Sequence, residues 1–463
     1  MTKRIEVRNP WTGKIDAEVE EPTAEWLAAE CARLREGQIG WEAQGVKQRV
    51  EALQAFANAL RNHRDAIVGC LEDDTGRVRI AALEFDLLQQ AIARTCQAAP
   101  AAISDSPQLD TGQAQISAHQ QKVPYGLVLN IAPWNFPLLL SLIDVFPALA
   151  VGNAAIIKPS EVTPRWVAPV QKALAEVPEL NAVLGFAIGT GQTGAELIKH
   201  ADIVSFTGSV VTGRKVAEAA AANFVPVLLE LGGNDPVIVL KSADVDTTAE
   251  KIVWSSTTSS GQACQSLERV YIDNEIADEF IAAVAEKARA VTINYPDRAE
   301  GFIGPFIFAP QPGKVMEQLD DAVSKGAKVL TGGKLIEHGG IWLEATVLED
   351  VDHSMDVMTE ETFGPVIPIM RFKTEDEAVE LANNTHYGLS ASVFAGTPAE
   401  GAQLARRINA GAVSVNDASL TSHVHSVPHE SFNLSGMGRS RFGDEALLRF
   451  LRTKAIFEQH EKA

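Results

Sequence analysis

At 463 residues the chain is too long for a single hydrophobic core and calls for two or three domains. Apolar residues at 46% and charged residues at 22% are ordinary for a globular protein and exclude a disordered one. Lys and Arg number 40 and Asp and Glu 60, so the net charge is −20, which argues against nucleic acid or anionic membranes as partners.

Cys31, Cys70, Cys96 and Cys264 form no Cys-x-x-Cys pair. That excludes a disulfide framework or zinc ribbon and makes a reducing cytoplasm the expected compartment. Met1 to Val7 lacks the apolar region of a signal peptide. The most apolar run, 138–152, contains Asp144 and Pro147 and is shorter than the roughly twenty residues of a membrane span. A soluble protein is expected.

Taken in order, residues 1–22 read as short strands with turns at Asn9-Pro10 and Thr12-Gly13. From Thr23 to Ala98 the pattern is helical, with apolar residues such as Leu53, Phe56 and Leu60 at three- and four-residue spacing. Residues 99–124 are polar and lack that period, and Gln113 to Val123 suggests a protruding strand pair. From Gly126 the texture changes. Strands at 126–132, 154–157, 182–188, 203–206 and 225–229 alternate with helices at 138–149, 164–176, 193–199 and 212–222. Continuously apolar strands separated by helices predict a parallel sheet covered on both faces, with ligands bound at the carboxyl ends of its strands.

The loops at those ends are Trp134-Asn135-Phe136, Lys158-Pro159-Ser160-Glu161, Thr207-Gly208-Ser209 and Gly232-Gly233. Gly208-Ser209 opens a helix whose free amides suit a phosphate, although the segment is not a Gly-x-Gly-x-x-Gly fingerprint. Lys158 and Glu161 could hold ribose hydroxyls, or simply form a solvated turn. Glu230 ends the apolar run Val225–Leu229, as a buried strand delivers a general base to a cleft. Cys264 follows Gly261-Gln262-Ala263 at the end of a helical run that starts near Asp244. A thiolate is the strongest side-chain nucleophile, and a helix end or nearby dipoles can lower a thiol's pKa. Taken alone, such a cysteine is more often a buried structural thiol.

Six motifs decide between those readings. Pro133-Trp134-Asn135-Phe136-Pro137, Lys158-Pro159-Ser160-Glu161, Phe206-Thr207-Gly208-Ser209, Glu230-Leu231-Gly232-Gly233, Gly261-Gln262-Ala263-Cys264 and Glu360-Glu361-Thr362-Phe363-Gly364-Pro365 occur in this order. In order and spacing the chain resembles the aldehyde dehydrogenase superfamily over nearly its whole length. The resemblance implies an α/β fold: a Rossmann-like cofactor domain (1–107 and 125–231), an α/β catalytic domain (232–440), and a small β oligomerisation element (108–124 with 450–463).

It also implies roles. Cys264 attacks the aldehyde, Asn135 and the Cys264 amide hold the oxyanion, and Glu230 activates water to hydrolyse the thioester. Lys158, Ser160 and Glu161 would hold the adenosine ribose. Trp134, Gly208, Ser209 and Leu231 would flank the cofactor's phosphate region, and Glu361 with Phe363 its nicotinamide half. The implied cofactor is NAD in preference to NADP, since a carboxylate beside the ribose repels a 2′-phosphate. The implied partners are a small-molecule aldehyde and further copies of the chain, as a homodimer or homotetramer, with no metal.

Phe136, Leu140, Ile143 and Gln265 would line the entrance, with Leu139 beside them. They are apolar or neutral, with no arginine to grip a second carboxylate, which points to a neutral aromatic or medium aliphatic aldehyde. Leu139, Leu140 and Ile143 could equally be helix core. Asp144 could attract an amine or serve as a structural partner.

The chain departs from the family pattern at 428–433, at Ser440, where a glutamate is common, and at Ser259. Between Thr421 and Glu430, His423, His425 and His429 invite a metal reading, a funnel rim or a plain surface loop. Two rival activities remain, acyl transfer to coenzyme A and a catalytically idle scaffold. Intact Cys264, Glu230 and Asn135 argue against both.

Overall fold

The computed structural model describes residues 3–104 and 107–460. The helix-rich segment after Thr23 forms four helices, Ala24–Ala43, Gly45–Asn62, Arg64–Thr75 and Val78–Ala102. Thr23 caps the first by accepting the Trp26 N–H. These helices and those of the following α/β segment pack around a six-stranded sheet. In spatial order its strands are Gly436–Met437, Val227–Glu230, Ile203–Thr207, Leu127–Ile131, Ala154–Lys158 and Leu184–Phe186. The last five run parallel, as the alternating pattern predicts, and place the 132–137, 159–163, 208–209 and 231–234 loops at one edge.

The sixth strand was not expected. Gly436–Met437 returns from far along the chain and pairs antiparallel with Leu229 and Glu230. A second sheet of seven strands runs Lys328–Thr331, Thr346–Glu349, Val366–Phe372, Leu267–Asp273, Asp235–Val239, Ser390–Phe394 and Ala412–Val415. Only Lys328–Thr331 is antiparallel to its neighbour.

The expected strand pair at 113–123 is one strand, Ile116–Pro124, and its antiparallel partner is Leu451–Gln459. A hairpin there would need a turn residue, and Ala114 to Val123 offers no Gly, Pro, Asn or Asp. The helix expected over 138–149 is two short ones, Leu139–Leu142 and Val145–Ala150. Pro147 has no N–H for the Ile143 carbonyl, so the helical ladder breaks between them.

The core of the first sheet seats Phe146, Ile156 and Trp166 at zero exposure, and each such burial contributes about 1.5–3 kcal/mol. Among the described residues, no helix is long and apolar enough to cross a membrane.

Candidate active site

The helix Val245–Thr257, capped by Asp244 through the Thr247 N–H at 2.9 Å, points its carboxyl end at the Cys264 turn. Ser259, Ser260 and Gly261 follow with φ of 54°, 62° and 66°, a run of left-handed residues that only a braced site sustains. The braces are specific. Ser260 Oγ donates to the Gly304 carbonyl at 3.0 Å and accepts its N–H at 2.9 Å. The Gln262 amide donates to Pro305 O at 3.1 Å and accepts Ile307 N at 2.9 Å. An added Cβ on Gly261 would lie 2.2 Å from the Gly364 carbonyl, so the turn admits only glycine.

The expected lowering of the thiol pKa is not found. Burial pushes Cys264 up to about 12, with Asp235, Glu361 and Glu230 adding to the rise and Arg441 opposing it. The helix presents its negative end to the turn, which gives no help to a thiolate.

Asn135 is buried, and its Nδ2 donates to Gln262 O at 3.0 Å, two residues before Cys264. Its own carbonyl accepts from Arg77 Nη2, while Arg77 Nη1 reaches Ser259 O at 3.3 Å. One buried guanidinium thus ties the Asn135 turn to the nucleophile turn. Burial pulls its pKa down to about 10, and Glu84 beside it works the other way. Glu84, pushed up to about 7 by burial, accepts the Leu138 and Leu139 N–H groups at 2.7 and 2.8 Å.

Glu230 ends its strand with one oxygen accepting from Ser431 Oγ at 2.9 Å and the other facing Arg441 and Arg449 at 3.8 and 3.9 Å. The turn after it runs against the nucleophile, since a Cβ on Gly233 would sit 2.7 Å from the Cys264 carbonyl oxygen.

Lys158 Nζ lies 2.8 Å from Glu161 Oε2 at the end of its strand. Ser160 is buried, and its hydroxyl accepts the Val162 N–H at 3.3 Å within the turn. Thr163 Oγ1 donates to Trp134 O at 3.2 Å, joining this loop to the neighbouring one. Ser209 caps the helix Val210–Ala222, with the Gly208 N–H donating to Glu230 O at 3.1 Å. The Leu231 N–H donates to Ser435 O at 2.8 Å, in line with the extra strand.

On the far side, Trp134 stacks on Phe308 with centroids 5.8 Å apart and meets Phe363 edge-on at 5.4 Å. Glu361 Oε1 accepts the Gly233 N–H at 3.1 Å, and burial with the adjacent Glu268 pushes its pKa up to about 8. Glu268 accepts the Thr362 and Phe363 N–H groups at 2.9 and 2.8 Å, so it shapes the loop that carries Glu361 and Phe363. Carboxyl groups at Glu161 and Glu361 could accept from sugar hydroxyls, and the amino end of the Val210–Ala222 helix could hold a phosphate, a set of groups that suits a dinucleotide.

Of the residues expected at the entrance, Phe136 carries the Arg77 guanidinium over its ring at 5.4 Å, and Leu140 is half-buried. Ile143 lines a cavity of about 220 Å³ with Ala91, Arg94, His425 and Arg441. Gln265 accepts from Ser422 Oγ, which joins the histidine loop to the residue after the nucleophile. Arg94 and Arg441 come from segments remote in sequence from Ile143. Asp144 is buried between Ser205 Oγ at 2.7 Å and Arg441 Nη2 at 2.8 Å, a structural partner and no amine trap. Among the described residues, no three His, Cys, Asp or Glu side chains converge as a metal site. His425 and His429 instead stack on Phe442, at 5.4 and 4.6 Å.

Sequence reading missed Arg77, Glu84, Glu268, Arg441 and Arg449. The available signal was a charge inside an apolar run, as in Ala82-Leu83-Glu84-Phe85 and Leu267-Glu268-Arg269-Val270.

A model of the aldehyde dehydrogenase family matches residues 1–456. The chain belongs to the aldehyde dehydrogenase family. It is 33% identical over 462 residues to a protein of Mycobacterium ulcerans provisionally named succinate-semialdehyde dehydrogenase (NADP+) 2, covering 96% of this chain and 87% of the relative. The provisionally named aldehyde dehydrogenase PutA from Anabaena variabilis superposes with a TM-score of 0.98 at 47% identity, covering 100% of this chain and 98% of that one. Lactaldehyde dehydrogenase from Escherichia coli follows at 0.94 and 30%, covering 99% and 96%. An aldehyde dehydrogenase of this family is an NAD(P)-dependent oxidoreductase, so the sheets and loops above are those of an enzyme.

Proposed function

We propose that this aldehyde dehydrogenase oxidises a neutral aromatic or medium aliphatic aldehyde to the carboxylic acid through a thioester on Cys264. The observation that carries the reading is the meeting of three turns. Asn135 Nδ2 bonds the backbone two residues before Cys264, and the turn after Glu230 packs on the Cys264 carbonyl. Cys264 Sγ adds to the carbonyl carbon, and its proton passes to solvent water, so that the adduct carries an oxyanion. Asn135 Nδ2, turning from Gln262 O to the new oxyanion, and the Cys264 N–H stabilise the tetrahedral adduct. NAD, when bound, would supply the hydride acceptor, and the acyl group would stay on Cys264 as a thioester. Glu230 takes a proton from the water that attacks the thioester, the acid departs, and the thiol recovers its proton.

Lys158, Ser160, Glu161, Gly208, Ser209, Trp134, Leu231, Glu361 and Phe363 hold the cofactor. Glu161 favours NAD, and Lys158 tempers the preference. What supports the substrate class is the apolar or neutral character of Phe136, Leu140, Ile143 and Gln265, while the cavity beside Ile143 mixes Ala91, Pro147 and Leu447 with Arg94, His425 and Arg441.

The cofactor domain is read as 1–107 with 125–231, and the catalytic domain as 232–440. The Ile116–Pro124 and Leu451–Gln459 ribbon joins copies into a dimer or tetramer. The deciding experiment follows NADH on a panel of neutral, carboxylate-bearing and amine-bearing aldehydes with Cys264→Ala as control. The reading expects the highest kcat/KM on neutral aldehydes and none with the variant. Highest kcat/KM on a charged aldehyde would refute the substrate class, and NADH from the variant would refute the nucleophile.

A further inference from the structure

Two guanidinium groups stand beside Glu230 that the steps above leave unused. Arg441 Nη2 donates to Asp144 Oδ2 at 2.8 Å and to Thr207 Oγ1 at 2.7 Å, and its Nε lies 3.8 Å from Glu230 Oε1. Arg449 Nη1 lies 3.7 Å from Asp144 Oδ1 and 3.9 Å from Glu230 Oε1. The Arg441, Arg449 and Asp144 side chains are 8%, 1% and 3% exposed, and Glu230 is 17%. Arg441 Nε and Arg449 Nε and Nη1 are buried with no hydrogen-bond partner. Buried donors are costly to leave unmade, so such a cluster persists where charge balance or function requires it.

Charge decides what the cluster does. Two guanidinium groups face the carboxyl groups of Asp144 and Glu230, so the charges around Glu230 Oε1 complement one another. The Ser440 hydroxyl, which accepts the His429 and Phe442 N–H groups at 3.0 and 3.1 Å, adds no charge.

We propose that Arg441, backed by Arg449 and Asp144, is a positioning residue that holds Glu230 as an aimed carboxylate for thioester hydrolysis. Ser431 Oγ holds one oxygen through a hydrogen bond at 2.9 Å, and the guanidinium pair faces the other across 3.8 and 3.9 Å as an electrostatic contact. The inference rests on the reading of Glu230 as the base.

The test is stopped-flow NADH formation by the NAD-loaded enzyme, with the best neutral aldehyde of the panel at saturation. Arg441→Gln should keep the rate constant of the first-turnover burst within about threefold. Its steady-state rate should fall about tenfold to a hundredfold, part of the 10²–10⁴ that a positioned base supplies. Arg441→Lys should recover most of the loss. Asp144→Asn/Arg441→Gln removes one charge of each sign, which keeps the interior balanced should Arg441→Gln fail to fold, and should show the same slow hydrolysis. Steady-state turnover at the wild-type rate in either glutamine variant overturns the proposal. So does a parallel fall of burst and steady state, which a merely structural role would give. Glu230→Gln runs alongside. If it stalls after one turnover while the glutamine variants at 441 do not, the clamp is wrong and the base stands. If Glu230→Gln does not stall, the base reading fails and the clamp with it.

Discussion

Replacing Gly261 by alanine probes the turn that carries the nucleophile, and Gly45→Ala supplies its control. Both glycines have positive φ, +66° and +80°, so both alanines cost about 1–2 kcal/mol of left-handed strain. They differ in surroundings. A Cβ at Gly45 meets nothing within 4 Å, whereas at Gly261 it meets the Gly364 carbonyl at 2.2 Å and Pro365 N at 2.7 Å. Ordinary contact begins at 3.4 Å, so 3.4 − 2.2 leaves 1.2 Å that backbone must yield. Such overpacking adds about 1–3 kcal/mol. A displacement of about 1 Å at a reacting group costs about 10² in rate. Gly261→Ala should therefore melt below Gly45→Ala and lose about a hundredfold in kcat, with Gly45→Ala close to wild type. Thermal melts and NADH kinetics on the two variants decide it. Equal kcat in both would refute the claim that the Gly364 contact sets the position of Cys264.

Asn135→Ala should lower kcat by about 10²–10³, the effect of losing an oxyanion donor, with NAD affinity unchanged by titration. Because the Cys264 thiol sits near 12, iodoacetamide labelling of the cofactor-free enzyme should quicken about tenfold per pH unit up to pH 10. A plateau near pH 8 would show a thiol that is already acidic. Comparing kcat/KM should favour NAD over NADP, and Glu161→Gln should narrow the ratio; an NADP preference in the parent would remove the role given to Glu161. Alanine at His423, His425 and His429 together should alter kcat/KM for bulky aldehydes and leave NAD affinity and chelator resistance alone. Activity lost to a chelator and restored by zinc would reinstate the metal reading.

The parallel sheet was legible because each of its strands is an apolar run closed by a short polar loop, and the six loop motifs carried the family. What escaped the sequence were contacts between distant segments. Nothing near Glu230 announces that Ser431, Gly436 and Arg441 will pack on it, since period-based reading sees one element at a time. Arg77 looks like an exposed helix start, yet it is buried and joins the Asn135 and Ser259 turns. The high pKa of the Cys264 thiol comes first from burial, which the sequence around Gly261-Gln262-Ala263 does not reveal. Pro147 did carry a legible signal, a missing N–H four residues after Ile143, that the helical reading of 138–149 passed over.

The central claim is an acyl group on Cys264 that Glu230 releases, and intact-mass analysis of Glu230→Gln tests it most directly. After incubation with NAD and a good aldehyde, the account predicts one adduct per chain, at the mass of the aldehyde less two hydrogens, on the peptide containing Cys264. NADH production without that adduct, or the adduct on another residue, would contradict it.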